Sequence, residues 1–127
     1  MSAQATYMVA DILSDPQARA SLYGAYPQGV YLNGIRSTAK TGTSYTGGKT
    51  KDTWMVNYTP ALVMGVWLGN PDTSILRNAN SIITGRVVEP VMQYAHKEIY
   101  AKEGKWSAND WYQFPDGLQK IGKELYP

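Results

Sequence analysis

The chain has no cysteine, one histidine and one phenylalanine among its 127 residues. Without thiols, disulfides, thiolate metal sites and cysteine nucleophiles are excluded. No group of His, Asp and Glu has the spacing of metal ligands, so neither a metal nor a cofactor is expected. Charge is sparse too. The formal net charge is +2, with no block of like charges, and phosphate neutralisation needs clustered basic residues, so nucleic acid is not an expected partner. The longest mostly apolar run, Ala61 to Leu68, is far too short to cross a bilayer. No basic segment precedes an apolar core at the N-terminus, so no signal peptide is visible, and any membrane anchor is expected outside the chain.

What is present describes a packed domain. The hydrophobic content of 43% suits a folded core, and the length suits one modest domain. Residues 2–14, "SAQATYMVADILS", carry Ala5, Met8, Val9, Ile12 and Leu13 at helical spacing, with Ser2 as N-cap and Asp15-Pro16 as a stop. Residues 15–34, rich in Gly, Pro and Tyr, read as loop.

From Ile35 the period changes to two. Ile35, Ser37, Ala39, Thr41 and Thr43 fall on one face of a strand, and Arg36, Thr38, Lys40, Gly42 and Ser44 on the other. Strands are expected over about 35–44, 52–58 and 61–69, the first two joined by a turn-rich segment and the last two by a wider turn at Thr59-Pro60. The third, "ALVMGVWLG", is apolar on both faces, which predicts cover on both sides. A helix over about 89–102 opens at Glu89-Pro90, with Val88, Val91, Met92, Ala95 and Ile99 as its buried stripe. The order implies an α+β fold: a three-stranded antiparallel sheet portion flanked by helices.

One stretch, "AKTGTSYTGGKTKDTW" (39–54), holds two competing motifs. A phosphate-binding loop needs four residues between its first glycine and Gly-Lys-Ser/Thr, then a helix. Here five residues separate Gly42 from Gly48-Lys49-Thr50, and a strand pattern follows. Lys40-Thr41-Gly42 is the better match, because Lys-Thr-Gly on a strand belongs to the signature of penicillin-binding proteins and serine β-lactamases. Alternation puts the Thr41 and Thr43 hydroxyls on one face, suited to a substrate carboxylate. Gly42 gives a substrate room to lie along the strand, Lys40 projects to the other side, and a backbone N–H near Thr43 could complete an oxyanion hole.

The wider context narrows this further. "AKTGTS", then "DTWMVNYTPALVMGVWLGN", then "TGRVVEPVMQYAHKEIY" and "FPDGL" closely resemble the C-terminal part of the transpeptidase domain of class A, bifunctional penicillin-binding proteins. Met55, Asn57, Glu89 and Ala39 depart from that pattern without removing a catalytic group. The resemblance implies a fragment, residues 1–127, of the penicillin-binding protein and serine β-lactamase-like transpeptidase fold. It implies a peptidoglycan DD-transpeptidase on the extracytoplasmic side of a bacterial membrane, in which a serine attacks a D-Ala-D-Ala stem peptide and β-lactams trap the same serine. Lys40 and Thr43 would be catalytic, and Thr41, Gly42, Thr43 and Ser44 would contact substrate. A β-lactamase, a DD-carboxypeptidase or a non-catalytic interaction domain are the alternatives.

The nucleophile itself is not expected in this chain. "STAK", Ser37 to Lys40, spells Ser-x-x-Lys, but residues three apart on a strand point to opposite faces. "SAN", Ser107 to Asn109, comes after Lys-Thr-Gly, the wrong order for the second motif, and reads as a turn cap. The rest of the transpeptidase domain is then a required partner, and exposed apolar surface makes self-association an expectation. His96 reads as surface or half-buried and structural, Trp54 and Trp67 as core or cleft wall, and Glu89 with Glu98 as out of helical phase for a catalytic pair.

Overall fold

In the computed structural model, which describes residues 1–24 and 26–127, the chain runs helix, helix, three strands, helix and a terminal hairpin. Helix α1 spans Ala3–Ser14, and the Ser2 hydroxyl accepts the Ala5 N–H at 3.2 Å. Asp15 ends α1 and at once starts α2, Pro16–Tyr23. Its carboxylate accepts the Gln17 N–H at 2.8 Å, and Pro16 stands in the first turn, where no N–H is needed. Residues 15–34 are therefore not all loop as expected; Asp15-Pro16 is a stop and a start together.

Strands β1 (Thr38–Thr46), β2 (Lys49–Tyr58) and β3 (Val63–Gly69) form an antiparallel sheet in that order. Ile35 to Ser37 lie outside β1, Ile35 making only an isolated bridge to Leu32. The expected long connection between the first two strands shrinks to Gly47-Gly48. Both glycines have φ near +60° to +75°, the left-handed geometry that lets a two-residue turn follow the twist of its strands. A register shift between Ser44 and Tyr45 absorbs the extra residue, Lys51. At the other turn the Thr59 N–H donates to the Leu62 carbonyl at 2.9 Å, and the Thr59 hydroxyl accepts the N–H groups of Ala61 and Leu62. This is the wider turn that Pro60 demands.

Helix α3 spans Gly85–Tyr94 and continues through wider π-type turns over Ala95–Tyr100. It begins one turn before the expected Glu89-Pro90, so Pro90 lies inside it. The start is set by packing: Gly85 crosses Gly29 so closely that a Cβ on Gly85 would fall on the Gln28 carbonyl. Gly29 itself has φ +73, and the Asn57 side-chain amide donates to its carbonyl at 3.0 Å. The buried line on the helix is Gly85, Val88, Met92 and His96; Val91 and Ile99 are exposed, against expectation. His96 joins the buried line, where both its ring nitrogens find partners.

The core lies between α3, one sheet face and residues 30–35. Met55 and Met92 are fully buried there with Val30, Leu32 and Ile35, each large side chain contributing about 1.5–3 kcal/mol. The opposite face of β2 and β3 is not covered by the described residues. Trp54 is 46% exposed and Val63 70% exposed, so the two-sided cover expected for the third strand is absent here. Val9 and Ile12 of α1 are also exposed, and Ala10 is the residue that helix buries. Residues 106–118 return across the molecule, with Phe114 edge-on to Tyr7, Tyr112 beside Tyr58 and the Arg36 guanidinium stacked on Trp111. A short hairpin, β4 (Gln119–Ile121) with β5 (Glu124–Tyr126), ends the chain. No helix among the described residues is long and apolar enough to cross a membrane.

Candidate functional site

β1 is an edge strand, so the main-chain groups on its far side have no strand partner. The Ala39 carbonyl accepts from Arg19 Nη1 at 3.2 Å, and the Thr41 carbonyl accepts from Lys40 Nζ at 2.6 Å. In an antiparallel ladder each residue points its N–H and C=O to the same side, and the side alternates. Ala39, Thr41 and Thr43 therefore present their main-chain groups to the free edge, while Lys40, Gly42 and Ser44 pair with β2.

The side chains divide the same way. Ala39, Thr41 and Thr43 stand opposite buried Asn57, Met55 and Thr53; Lys40 and Gly42 stand opposite exposed Val56 and Trp54. Lys40 is exposed. Thr41 shares a 2.8 Å hydroxyl bond with Tyr23 of α2. The Thr43 hydroxyl is buried and unpartnered, like that of Thr53 across the pair. Ser44 Oγ donates to the Asp52 carboxylate at 2.7 Å. A Cβ on Gly42 would make only ordinary contact with Trp54, so nothing among the described residues requires glycine there.

The sequence does not point to Tyr23 or Arg19, because residues 15–34 read as loop. The available signal was Asp15-Pro16, a cap followed by proline in a first turn. Burial lowers the Arg19 pKa from its ordinary value, opposed by the nearby charges of Asp15 and Tyr23.

The other motifs fall elsewhere. Ser37 is buried ahead of β1 while Lys40 is exposed, so the two do not meet. Ser107 donates from both its hydroxyl and its N–H to the Asp110 carboxylate, closing a turn. Gly48-Lys49-Thr50 leads into β2, with no helix to face an anion. Trp54 and Trp67 pair across the open sheet face and are not core. His96, expected at or near the surface, is fully buried. Its Nδ1–H donates to the Met92 carbonyl and its Nε2 accepts from the Thr59 hydroxyl, both at 2.8 Å. Met92 can only accept, which fixes this tautomer. Burial lowers the His96 pKa, with the Met92 bond opposing. Among the described residues no group of three His, Asp or Glu is placed to hold a metal ion.

No family model and no solved structure matches the chain. Three curated proteins do, each named Penicillin-binding protein 1A. That of Clostridium perfringens is 29% identical over 120 residues, covering 94% of this chain and 12% of the relative. That of Rickettsia bellii is 32% identical over 102 residues, 76% of this chain and 12% of the relative. That of Mycobacterium tuberculosis is 53% identical over 47 residues, 35% of this chain and 6% of the relative. The chain thus spans about an eighth or less of the length of the relatives it matches. By these likenesses it is a piece of the class A penicillin-binding protein family.

Proposed function

We propose that the chain is the C-terminal part of a DD-transpeptidase domain that cross-links peptidoglycan stem peptides outside the cytoplasmic membrane. The observation that carries this reading is the placement of Lys40-Thr41-Gly42-Thr43 on an edge strand, with the main chain of Ala39, Thr41 and Thr43 turned to the open side. An extended peptide can lie along such an edge by main-chain hydrogen bonds. In this reading the Thr43 N–H contributes to an oxyanion hole and Gly42 leaves room for the substrate. Lys40 swings from the Thr41 carbonyl to hold the proton-relay hydroxyl, and Thr41, Thr43 and Ser44 line the substrate position. The serine that is acylated, by D-Ala-D-Ala peptide or by β-lactam, belongs to the remainder of the domain.

Fluorescent penicillin tests this directly. The 127-residue chain should take no covalent label, because Ser37 is buried and separated from Lys40. The longer protein that this reading requires should be labelled, and Lys40→Ala should slow its labelling by about a hundredfold or more, the scale of a lost electrostatic or proton-relay group. Labelling of the short chain, or labelling of the long protein unchanged by Lys40→Ala, would overturn the reading.

A further inference from the structure

We infer that the cavity between α1, the end of β2 and residues 112–115 is a binding site for a small, neutral aromatic molecule. The cavity measures about 510 Å³, within the range of small-molecule sites. Ala3, Thr6 and Ala10, spaced along one face of α1, line it together with Tyr7, Tyr58 and Tyr112. No charged side chain lines it. The inference goes beyond the transpeptidase reading and does not depend on it, since none of Lys40 to Ser44 reaches this cavity.

The walls are tied to one another by contacts around the cavity. Gln4 Nε2 donates to the Asp116 carbonyl at 2.7 Å, and Tyr7 meets Phe114 edge-on with ring centroids 5.3 Å apart. Tyr112 lies 6.4 Å from Tyr58 and edge-on to Trp111. Trp111 in turn carries the Arg36 guanidinium, which is paired with Asp11 of α1. Both ends of the returning segment are thus fastened to α1, and a ligand meets a site already formed, without the cost of ordering it.

The chemistry of the lining selects the ligand. An ion entering this space would lose water without gaining a counter-charge. Tyrosine rings favour an aromatic partner, because the edge of one ring is attracted to the face of another. Their hydroxyls donate or accept, which suits a ligand with one polar ring atom. Burial raises the Tyr112 pKa, with Tyr58 adding to the shift, so that hydroxyl keeps its proton at neutral pH and can donate.

The test is an NMR titration of the ¹⁵N-labelled 127-residue chain at neutral pH, with quinoline as the probe. The comparison probes are N-methylquinolinium, which adds a charge to the same shape, and cyclohexanol, which is neutral but not aromatic. Quinoline should give saturable shifts at the amides of Thr6, Ala10 and Tyr112, leaving Gly47 and Gly48 of the β1–β2 turn unmoved. Each comparison probe should bind about fivefold or more weakly. Tyr112→Leu, which removes a ring, should weaken quinoline by about tenfold or more. Ala3→Trp, at an exposed position of α1, should fill the space and weaken it as much, while the signals of the sheet stay in place and show that the fold is kept. No saturable shift at these amides, equal binding of either comparison probe, or quinoline binding unchanged by either substitution would overturn the inference. So would shifts of the same amides on raising the protein concentration without a probe, because a second copy would then be the occupant. Fluorescent penicillin tests the transpeptidase reading separately, so the failure of one reading is not the failure of the other.

Discussion

Along the open edge of β1, side chains sit on the main chain: Arg19 on Ala39, Lys40 on Thr41, with Tyr23 on the neighbouring hydroxyl. Along the other edge of the same sheet, β3 carries no such contacts among the described residues and no charged residue from Val63 to Gly69. Its Val63 is 70% and its Trp67 47% exposed. Both are edges of one sheet, yet they are finished for different neighbours. A polar edge with oriented donors suits a small ligand that comes and goes. A flat, uncharged, apolar edge is the kind that pairs with another strand. In a longer protein the remaining domain would supply that strand; in the isolated chain a second copy can.

The most direct expected effect of this difference is on self-association. The isolated chain should show a rising mass in light scattering as concentration increases. Val63→Lys should weaken that association by about tenfold or more, equivalent to about 1.4 kcal/mol, because a lysine blocks strand addition. A comparable charge on β1, Thr46→Lys, should leave it unchanged. A monomeric mass at high concentration, or equal effects from both substitutions, would erase the contrast between the edges.

Larger in folding energy is what holds β3 from behind. The Thr59 hydroxyl gives its hydrogen to His96 and accepts two backbone N–H groups at the turn into β3. His96→Ala removes a buried ring stacked edge-on against Tyr100 and Trp106 and leaves the Thr59 hydroxyl without its acceptor. The expected loss is about 3–5 kcal/mol in denaturant unfolding. Protonating His96 attacks the same point, since Nε2–H would need an acceptor whose lone pairs are taken. The folded-state pKa is lowered from 6.5, so as pH falls below about 6.5 the unfolded chain gains the proton first. Stability from this group is present above that pH and is lost below it, by up to about 1.4 kcal/mol per pH unit. The His96→Ala variant should lack this component of the pH profile.

The elements that hold these edges were unequally legible. β1 to β3 could be read because alternation along 38–46 and the Trp, Val and Met runs after it are local signals. Lys40, Thr41, Gly42 and Thr43 were legible as a motif for the same reason. The start of α3 was not, because the Gly29 and Gly85 crossing joins residues 56 positions apart, and neither glycine is special to its own neighbours. That contact accompanies a helix start one turn earlier than expected, and the burial of His96 rests on Thr59, 37 positions away. α2 is hidden by composition: Gly24, Pro27 and Gly29 make 15–34 look uniformly irregular, although all eight of its helical residues precede the three. Arg19 and Tyr23 were hidden with it.

Smallest in energy, and most specific, is the docking of α2 on β1. Tyr23→Phe removes one hydroxyl from a part-buried bond, which sets the expected loss near 1 kcal/mol. Such a figure alone could come from any lost contact, so the coupling is what carries information. In a double-mutant cycle, Tyr23→Phe with Thr41→Val should show an interaction of about 0.5–1.5 kcal/mol, because either substitution already breaks the shared bond. Tyr23→Phe with Thr53→Val should be additive, since the Thr53 hydroxyl is buried without a partner and is not bonded to Tyr23. Zero coupling to Thr41 would mean that the Tyr23 hydroxyl does not help to hold α2 on the strand, and that among the contacts of α2 only the Arg19 bond to the Ala39 carbonyl sets the β1 edge apart from that of β3.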